Sequence, residues 1–159
     1  MTPHPYREAF AARDLDRVVS LLADDVTFHS PVMSESFEGR ASAAAILAVA
    51  LDVFAEPEYT HDLGDGRSHV LVADAHVLGK PVKTTTLLEH DADGKIGEIW
   101  LMSRPLTANA AIVEAVTRAV KDRDPGLHDL SKPFADLAAM IDRAAAVLIG
   151  ELNRSTGAA

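Results

Sequence analysis

Cysteine is absent from the sequence, which excludes disulfide bonds and thiolate metal sites. No run approaches 18 apolar residues, and the N-terminal segment MTPHPYREAF lacks the apolar stretch of a signal peptide. Basic residues are in the minority, with 15 Lys and Arg against 24 Asp and Glu and a net charge of −9. Such a chain repels phosphate backbones. We therefore expect a cytoplasmic protein with neither a membrane nor a nucleic acid as partner.

Several sequence motifs of enzymes and nucleotide-binding proteins are also missing. The chain contains no GxSxG, no GxGxxG and no GxxxxGK[ST] segment, so a serine-hydrolase elbow and the common phosphate-binding loops are excluded. We predict no cofactor. The composition itself is that of a soluble globular domain, with 159 residues, 48% of them hydrophobic and 25% charged. A chain of this length buries roughly 70% of its unfolded surface, so a real core is expected.

The first third of the chain predicts helices and one strand. In DLDRVVSLLADD, apolar residues recur at the spacing of one helical face and Asp14 is placed to cap the helix. A shorter helix is expected around 6–12. The β-branched and aromatic segment VTFHSPV, Val26 to Val32, predicts a strand. An alanine-rich helix follows, from about Arg40 to Ala55, which Pro57 is expected to end.

The middle of the chain predicts four strands joined by tight turns, an antiparallel meander. Its last hairpin has the clearest signal, because Asp93 and Gly94 tolerate the positive φ of a tight turn. After Arg104 and Pro105 the pattern becomes helical again. Thr107 is expected to cap one helix, which DPG at 124–126 ends, and an amphipathic helix follows with Pro133 in its first turn.

The order of these elements resembles the nuclear transport factor two-like fold, and its SnoaL-like branch in particular. The resemblance covers about Tyr6 to Leu106, and the segments that carry it are LADDVTFHSPV, FEGRASAAAIL and DADGKIGEIWLMSRPL. It implies an α+β fold in which a curved, cone-shaped antiparallel sheet packs on N-terminal helices around a pocket. We predict that residues 1–106 form this domain and that 107–159 add a C-terminal helical extension to it.

One position departs from the resembling family. Many SnoaL-like sequences end the last long strand with a motif like FDP, whose aspartate is a candidate for proton transfer. The matching position here is Arg104, before Pro105. A guanidinium stays protonated near neutral pH and cannot act as a general base. The acid/base role of the family is therefore not transferred to this position.

The last strand offers the first candidates for a pocket. Alternate residues of a strand share a face, so Glu98, Trp100, Met102 and Arg104 lie on one side of GKIGEIWLMSRPL. We assign this side to the cavity, since a pocket provides the pairing or hydration that charged groups need. The alternative is that Trp100 and Met102 are ordinary core and that the two charged residues lie at exposed ends of the sheet.

Asp74 and His76 are the most enzyme-like pair in the chain. They share a strand face in HVLVADAHVLG, and a carboxyl beside an imidazole can exchange protons with a ligand. Exposure of both on an open sheet face is the alternative. Tyr59 in EYTHDL and His29 in the first strand are further candidates for ligand binding, and the resemblance places the strand of His29 at the pocket mouth.

The remaining histidines carry little functional signal, because turns and helix ends hold histidines freely. Those given the least weight are His4, His90 and His128, and His61 and His69 rank only slightly higher. A catalytic zinc needs three converging ligands, and only Asp74 with His76 approaches a suitable spacing. We predict no metal site.

Three hypotheses follow for function. The first is a pocket for a mostly apolar small molecule, with His29, Tyr59, Trp100, Met102 and Arg104 as binding residues. The second is an isomerase, cyclase or epoxide hydrolase in which Asp74 and His76 transfer protons. The third is a protein-interaction module. A homodimer is expected, because a meander with a second apolar face needs cover and the resembling fold commonly pairs its sheets.

Overall fold

Helices and strands follow the predicted order along the chain. The computed structural model describes residues 2–122 and 131–156. The helices are α1 (Pro5–Ala11), α2 (Leu15–Ser20), α3 (Arg40–Val53), α4 (Leu106–Lys121) and α5 (Ser131–Thr156). The strands are β1 (Leu22–His29), β2 (Phe37–Glu38), β3 (Ala55–Gly64), β4 (Ser68–Val77), β5 (Lys80–His90) and β6 (Ile96–Arg104). The fold is α+β, as predicted.

All six strands form one curved, open sheet in the order β2-β1-β6-β5-β4-β3. Strands β3 to β6 are the predicted antiparallel meander, whereas β1 pairs in parallel with β6. The turn before β6 has the predicted chemistry, since the Asp91 carboxylate accepts hydrogen bonds from the backbone N–H groups of Asp93 and Lys95. Gly94 closes this turn at φ 76°, where a residue without a Cβ is favoured.

Several element ends differ from the predictions. Strand β1 covers 22–29 and not 26–32, and α3 ends at Val53, so Pro57 lies inside β3. Strand β3 is at the edge of the sheet, where a residue without an N–H is tolerated. Asp14 caps α2 as predicted, through a bond from the Arg17 N–H. Helix α4 begins at Leu106 without a side-chain cap, so the Thr107 cap is wrong, and DPG lies outside the described residues.

One face of the sheet is covered by helices and the other is not. On the inner face, Leu71, Ala73, Ala75 and Val77 of β4 are buried, while their neighbours Asp74 and His76 are exposed on the outer face. The same alternation continues across β5 and β6 in register. The inner face packs with α1, α2 and α3 into one apolar cluster and with α3 and α4 into a second. The outer face has no cover from the described residues.

The two C-terminal helices form a layer beyond the sheet and α3. Helix α4 packs on α3 and on β4, β5 and β6, and α5 packs on α4. The C-terminal half of α5 exposes Val147, Leu148 and Ile149. None of the described helices is both long and apolar enough to cross a membrane. The predicted division at residues 106 and 107 falls on the first residue of α4 and stays a prediction.

Candidate functional site

An apolar chamber lies between the inner face of the sheet and the helices. Its wide part has a volume of about 480 Å³ and opens between the β1–β2 loop, α3 and α4. Aliphatic and aromatic side chains form almost all of its wall, and among the described residues of this wall only Ser30 and Thr117 have polar side chains. Four wall residues also line a narrow inner part of about 30 Å³, and they are Phe28, Ala50, Phe54 and Leu101. The two parts therefore share a wall, and we refer to them together as the chamber.

The narrow part is lined by four further residues that carry hydroxyl groups. Tyr6 comes from α1, Tyr59 from β3, and Thr84 and Thr86 from β5. Thr84 donates to the Ala73 carbonyl at 3.4 Å, so its hydrogen has a partner in the sheet. Neither phenol makes a hydrogen bond with any residue in 2–122 or 131–156. A ligand atom at this end meets hydrogen-bond donors inside an otherwise apolar wall.

Both phenols are held in the neutral form. Burial raises the pKa of Tyr6 far above its ordinary value, and the neighbouring Tyr59 raises it further. Burial also raises the pKa of Tyr59, to about 12, although the Arg7 guanidinium, 5.1 Å from the centre of its ring, acts in the opposite direction. A neutral phenol donates its hydrogen to a carbonyl or hydroxyl oxygen. It does not remove a proton from a ligand at neutral pH.

The face assigned to the cavity from the sequence is the outer face, and six of the seven predicted site residues lie on it. Trp100 and Met102 are 42% and 48% exposed, and Arg104 is exposed at the end of the same strand. The chamber is instead lined by the alternate residues Ile99 and Leu101. Asp74 and His76 are also on the outer face, where the Asp74 carboxylate pairs with Lys83 at 2.6 Å.

Tyr59 is the one predicted ligand-binding residue whose side chain lines the chamber. The side chain of His29 lies on the side of β1 that faces away from the chamber, and its ring is stacked on that of Trp100 at a centroid distance of 3.5 Å. Its Nδ1 is 2.9 Å from the Ser36 hydroxyl, while its buried Nε2 has no partner in the described structure. His29 therefore belongs to the outer face with Trp100 and is not part of the chamber wall.

Beside the narrow part lies a cluster that the sequence analysis missed, composed of His4, Arg7, Asp62, His69 and His90. We call it the histidine cluster. The Asp62 carboxylate is its centre: one oxygen is 2.5 Å from His69 Nε2, and the other accepts from the Arg7 guanidinium and the His4 N–H, both at 3.1 Å. His4 and His90 face each other with their Nε2 atoms 3.2 Å apart.

The neighbours of Asp62 in this cluster favour the charged form of its carboxyl group. Burial alone would raise the pKa of the Asp62 carboxyl, but the hydrogen bonds from His69, His4 and Arg7 outweigh burial and lower it. The approach of β3 to β4 is close here, since a Cβ on Gly64 would lie 2.2 Å from Nδ1 of the His69 ring. Within the described residues, no group of three or more His, Cys, Asp or Glu side chains is arranged to hold a metal ion.

Comparison with known proteins agrees with this architecture. A steroid delta-isomerase from Pseudomonas aeruginosa is 31% identical, with a TM-score of 0.71, over 74% of this chain and 88% of that one. An uncharacterized protein with a cystatin-like fold from Silicibacter pomeroyi is 26% identical, with a TM-score of 0.71, over 76% and 85%. SalBIII, an epoxide hydrolase/cyclase-like enzyme of salinomycin pyran formation, shares the fold alone at 21% identity, with a TM-score of 0.54 over 62% and 84%.

Family membership follows from the sequence itself. No curated protein sequence matches the chain significantly. The model of the SnoaL-like domain matches residues 5–99, which include α1 to α3, β1 to β5 and the chamber residues that these elements supply. Helices α4 and α5 lie beyond that match. The chain belongs to the SnoaL-like domain family.

Proposed function

We propose that the chain binds a mostly apolar small molecule in the chamber, with a carbonyl or hydroxyl group of the ligand at the narrow end. The observation that carries this proposal is the composition of the wall. A volume of about 480 Å³ is within the range of small-molecule sites, and such sites combine apolar walls with a few placed polar groups. Tyr6, Tyr59 and Thr86 supply those polar groups.

Binding without proton transfer is the function that the wall favours. Among the described parts of the chain, 2–122 and 131–156, no Asp, Glu, His or Lys lines either part of the chamber. General acid–base catalysis needs a group that titrates near the working pH within hydrogen-bond reach of the ligand. Asp74 and His76 face away from the chamber, so the predicted proton transfer by this pair has no access to a ligand held there.

The similar steroid delta-isomerase suggests the chemical class of a first test ligand. A neutral steroid ketone is flat and apolar and ends in a carbonyl oxygen, which matches an apolar chamber with phenol donors at one end. We use progesterone as this ligand. Nile red, a neutral fluorophore whose emission increases in apolar surroundings, serves as the direct probe of chamber occupancy.

Filling the chamber tests the proposal. Ala50 of α3 forms a wall of both parts, so Ala50→Phe places a ring where the two parts meet. We expect Nile red affinity to fall at least tenfold, and progesterone to displace the dye from the unmodified protein. The measurement is a fluorescence titration, with circular dichroism to verify folding.

The matched control is Ala45→Phe, the same substitution on the exposed side of the same helix, which should leave affinity unchanged. If Ala50→Phe does not fold, Thr117→Phe on α4 narrows the wide part from the other wall. Equal affinity in the chamber and control variants would contradict the proposal. So would the absence of any Nile red binding.

We also propose that the outer face pairs with a second copy of the chain. Two adjacent rows of register partners cross the sheet on this face with mostly apolar side chains. One row is His29, Trp100, Leu87, Val70 and Leu63, and the other is Met102, Thr85, Val72 and His61. Exposed apolar patches of this kind are typical of interaction sites.

The charges beside these rows favour a second copy as the partner. Glu98 and Glu89 are register partners on one side, and Arg104 and Lys83 are register partners on the other. A two-fold axis parallel to the rows brings the acidic side of one copy opposite the basic side of the other. Pairing of the outer faces then explains why β6 places Trp100 and Met102 between Glu98 and Arg104 on this face.

Trp100→Lys tests this pairing. A lysine in the middle of the apolar row places a charge against the apolar side chains of the second copy, so we expect a dimer to become a monomer of 17.0 kDa in sedimentation velocity at micromolar concentration. Lys95→Glu, in the turn before β6, is the control and should not change the sedimentation coefficient. Sedimentation of the unmodified protein as a monomer at that concentration would contradict the pairing.

A further inference from the structure

The imidazoles of the histidine cluster are joined by hydrogen bonds that exist in only one protonation state. The Tyr6 N–H donates to His4 Nδ1 at 3.2 Å, so this nitrogen carries no hydrogen. His90 Nδ1 faces the Arg67 carbonyl at 3.0 Å, and a carbonyl only accepts, so this nitrogen carries the hydrogen. The hydrogen of His4 is then on Nε2 and points at the bare Nε2 of His90, 3.2 Å away. Both rings are neutral.

An added proton has no place in this arrangement. On His4 it would occupy Nδ1 and point at the Tyr6 N–H, which removes the bond that caps α1. This event replaces a hydrogen bond by two hydrogens that face each other. The His4 ring also lies within 4.3 Å of the His69 ring, which brings a third imidazole to the same place.

The surrounding groups leave a protonated His4 without a free carboxylate. The charged or titratable neighbours of His4 come from four elements. They are Arg7 of α1, Asp62 and Tyr59 of β3, His69 of β4 and His90 of β5. Asp62 is already bound by Arg7 and His69. Glu89 on β5 lies on the outer face, where it accepts from the Ser68 hydroxyl, and Glu8 on α1 pairs with Arg17.

The electrostatics act in the same direction as this geometry. Burial lowers the pKa of His4 to about 4, with further lowering from His69 and His90 against an opposite effect of Asp62. The folded state therefore favours neutral His4 more strongly than the unfolded state, whose ordinary value is 6.5. The stabilisation is complete above pH 6.5 and is lost as the pH falls toward 4.

His4 is connected to the chamber through α1. It is the N-cap residue of α1, and this helix supplies Tyr6 and Phe10 to the wall of the narrow part. A helix of 7 residues does not hold itself together in water and depends on its cap and its packing. Loss of the His4 bonds at one end therefore weakens the attachment of two chamber residues.

We propose that protonation of His4 releases α1 from the sheet and opens the narrow end of the chamber, so that bound ligand is discharged in mild acid. The release of ligand rests on the proposed function of the chamber as a ligand site, whereas the release of α1 from the sheet does not. Acid thereby regulates the chamber from outside its wall, since His4 and His90 do not line it.

Two measurements on the full chain between pH 7 and pH 4.5 test this inference separately. Amide hydrogen exchange, corrected for the intrinsic pH dependence, reports on α1 without any ligand. We expect protection of the amides of Ala9 and Phe10 to fall at least tenfold, while those of Leu71 and Ala73 in β4 change less than twofold. A Nile red titration over the same range should show at least a tenfold loss of affinity.

The deciding variant is His4→Asn. Asparagine is a favoured N-cap and accepts the Tyr6 N–H bond, but it does not titrate. We expect its α1 protection and its dye affinity to change less than twofold over the range. His76→Asn on the exposed outer face is the matched control and should keep the unmodified profile. If His4→Asn does not fold, His4→Ser, another favoured N-cap that does not titrate, replaces it with the same expectation.

The outcomes separate this device from the proposed function. Protection of α1 that is independent of pH in the unmodified protein, or that falls equally in His4→Asn, would overturn the device. Dye binding with constant affinity would then leave the chamber proposal intact. Release of α1 without dye binding at any pH would support the device and contradict the chamber as a ligand site.

Discussion

Ile99→Lys should unfold the protein or leave it barely folded, whereas Trp100→Lys at the next position should fold with nearly unchanged stability. Ile99 is 0% exposed and lies in the apolar cluster beneath α1, α2 and α3. A lysine there loses the burial of the isoleucine and places an ammonium group among apolar side chains. We expect a loss of at least about 4 kcal/mol in the free energy of unfolding, against about 5 to 15 kcal/mol for a typical domain.

Trp100 is 42% exposed, so a lysine at this position keeps its charge in water. The lysine would also lie beside Glu98, whose carboxylate accepts a hydrogen bond from the Trp100 indole N–H at 3.0 Å in the unmodified protein. The change removes the stacking on His29, and we expect a loss of no more than about 1 kcal/mol.

Urea unfolding followed by circular dichroism compares the two variants, and repeating it at two protein concentrations separates the contribution of dimer formation. A large loss for Trp100→Lys that is independent of concentration would mean that this face is buried in the folded monomer. The assignment of the inner and outer faces of the sheet would then have to be reversed.

This pair of residues also shows how far the sequence predicts the site. Period-two alternation correctly separates Ile99 and Leu101 from Trp100 and Met102, but it does not say which set faces the helices. Both sets are partly apolar. The sequence analysis interprets charged residues as the mark of a cavity, whereas Asp74 and Lys83 pair with each other across neighbouring strands on the outer face. The chamber wall has no such charges, and its signal resembles that of an ordinary core.

The order of elements was predictable because each depends on local signals, such as the Asp14 cap and the Asp91 to Gly94 turn. The histidine cluster was not predictable in this way. His4 and His90 are 86 positions apart and meet only when α1 lies against β3, which brings His4 to His69 of β4 and His90 of β5. Asp62, at the centre of the cluster, follows a register shift in β3 that the sequence pattern does not show.

Asp62→Ala should be the most damaging substitution in the histidine cluster. The Asp62 side chain is only 12% exposed, and its carboxylate accepts from Arg7, from the His4 N–H and from His69. Alanine leaves these donors without their acceptor beside the apolar core. Removing one partner of a buried ionic network costs about 3 to 5 kcal/mol, and the partial exposure of Arg7 reduces this to about 2 to 4 kcal/mol.

Asp24→Ala is the matched control. Asp24 also pairs with an arginine, Arg40, but its side chain is 91% exposed, so the expected cost is no more than about 1 kcal/mol. Urea unfolding at pH 7 measures both variants. Equal losses would mean that the Asp62 network adds no more to stability than a surface ion pair.

The pH dependence gives an independent check on the same carboxylate. The pKa of Asp62 is lower in the folded than in the unfolded state, so its contribution is present above the ordinary value of 3.8 and is lost as the pH falls below it. The unmodified protein should lose this part of its stability in strong acid, and Asp62→Ala should not. His4 acts at higher pH, between 6.5 and 4, so unfolding measured from pH 7 to pH 2 separates the two groups. A variant whose stability falls as steeply below pH 3.8 as that of the unmodified protein would contradict the role of Asp62 at the centre of this network.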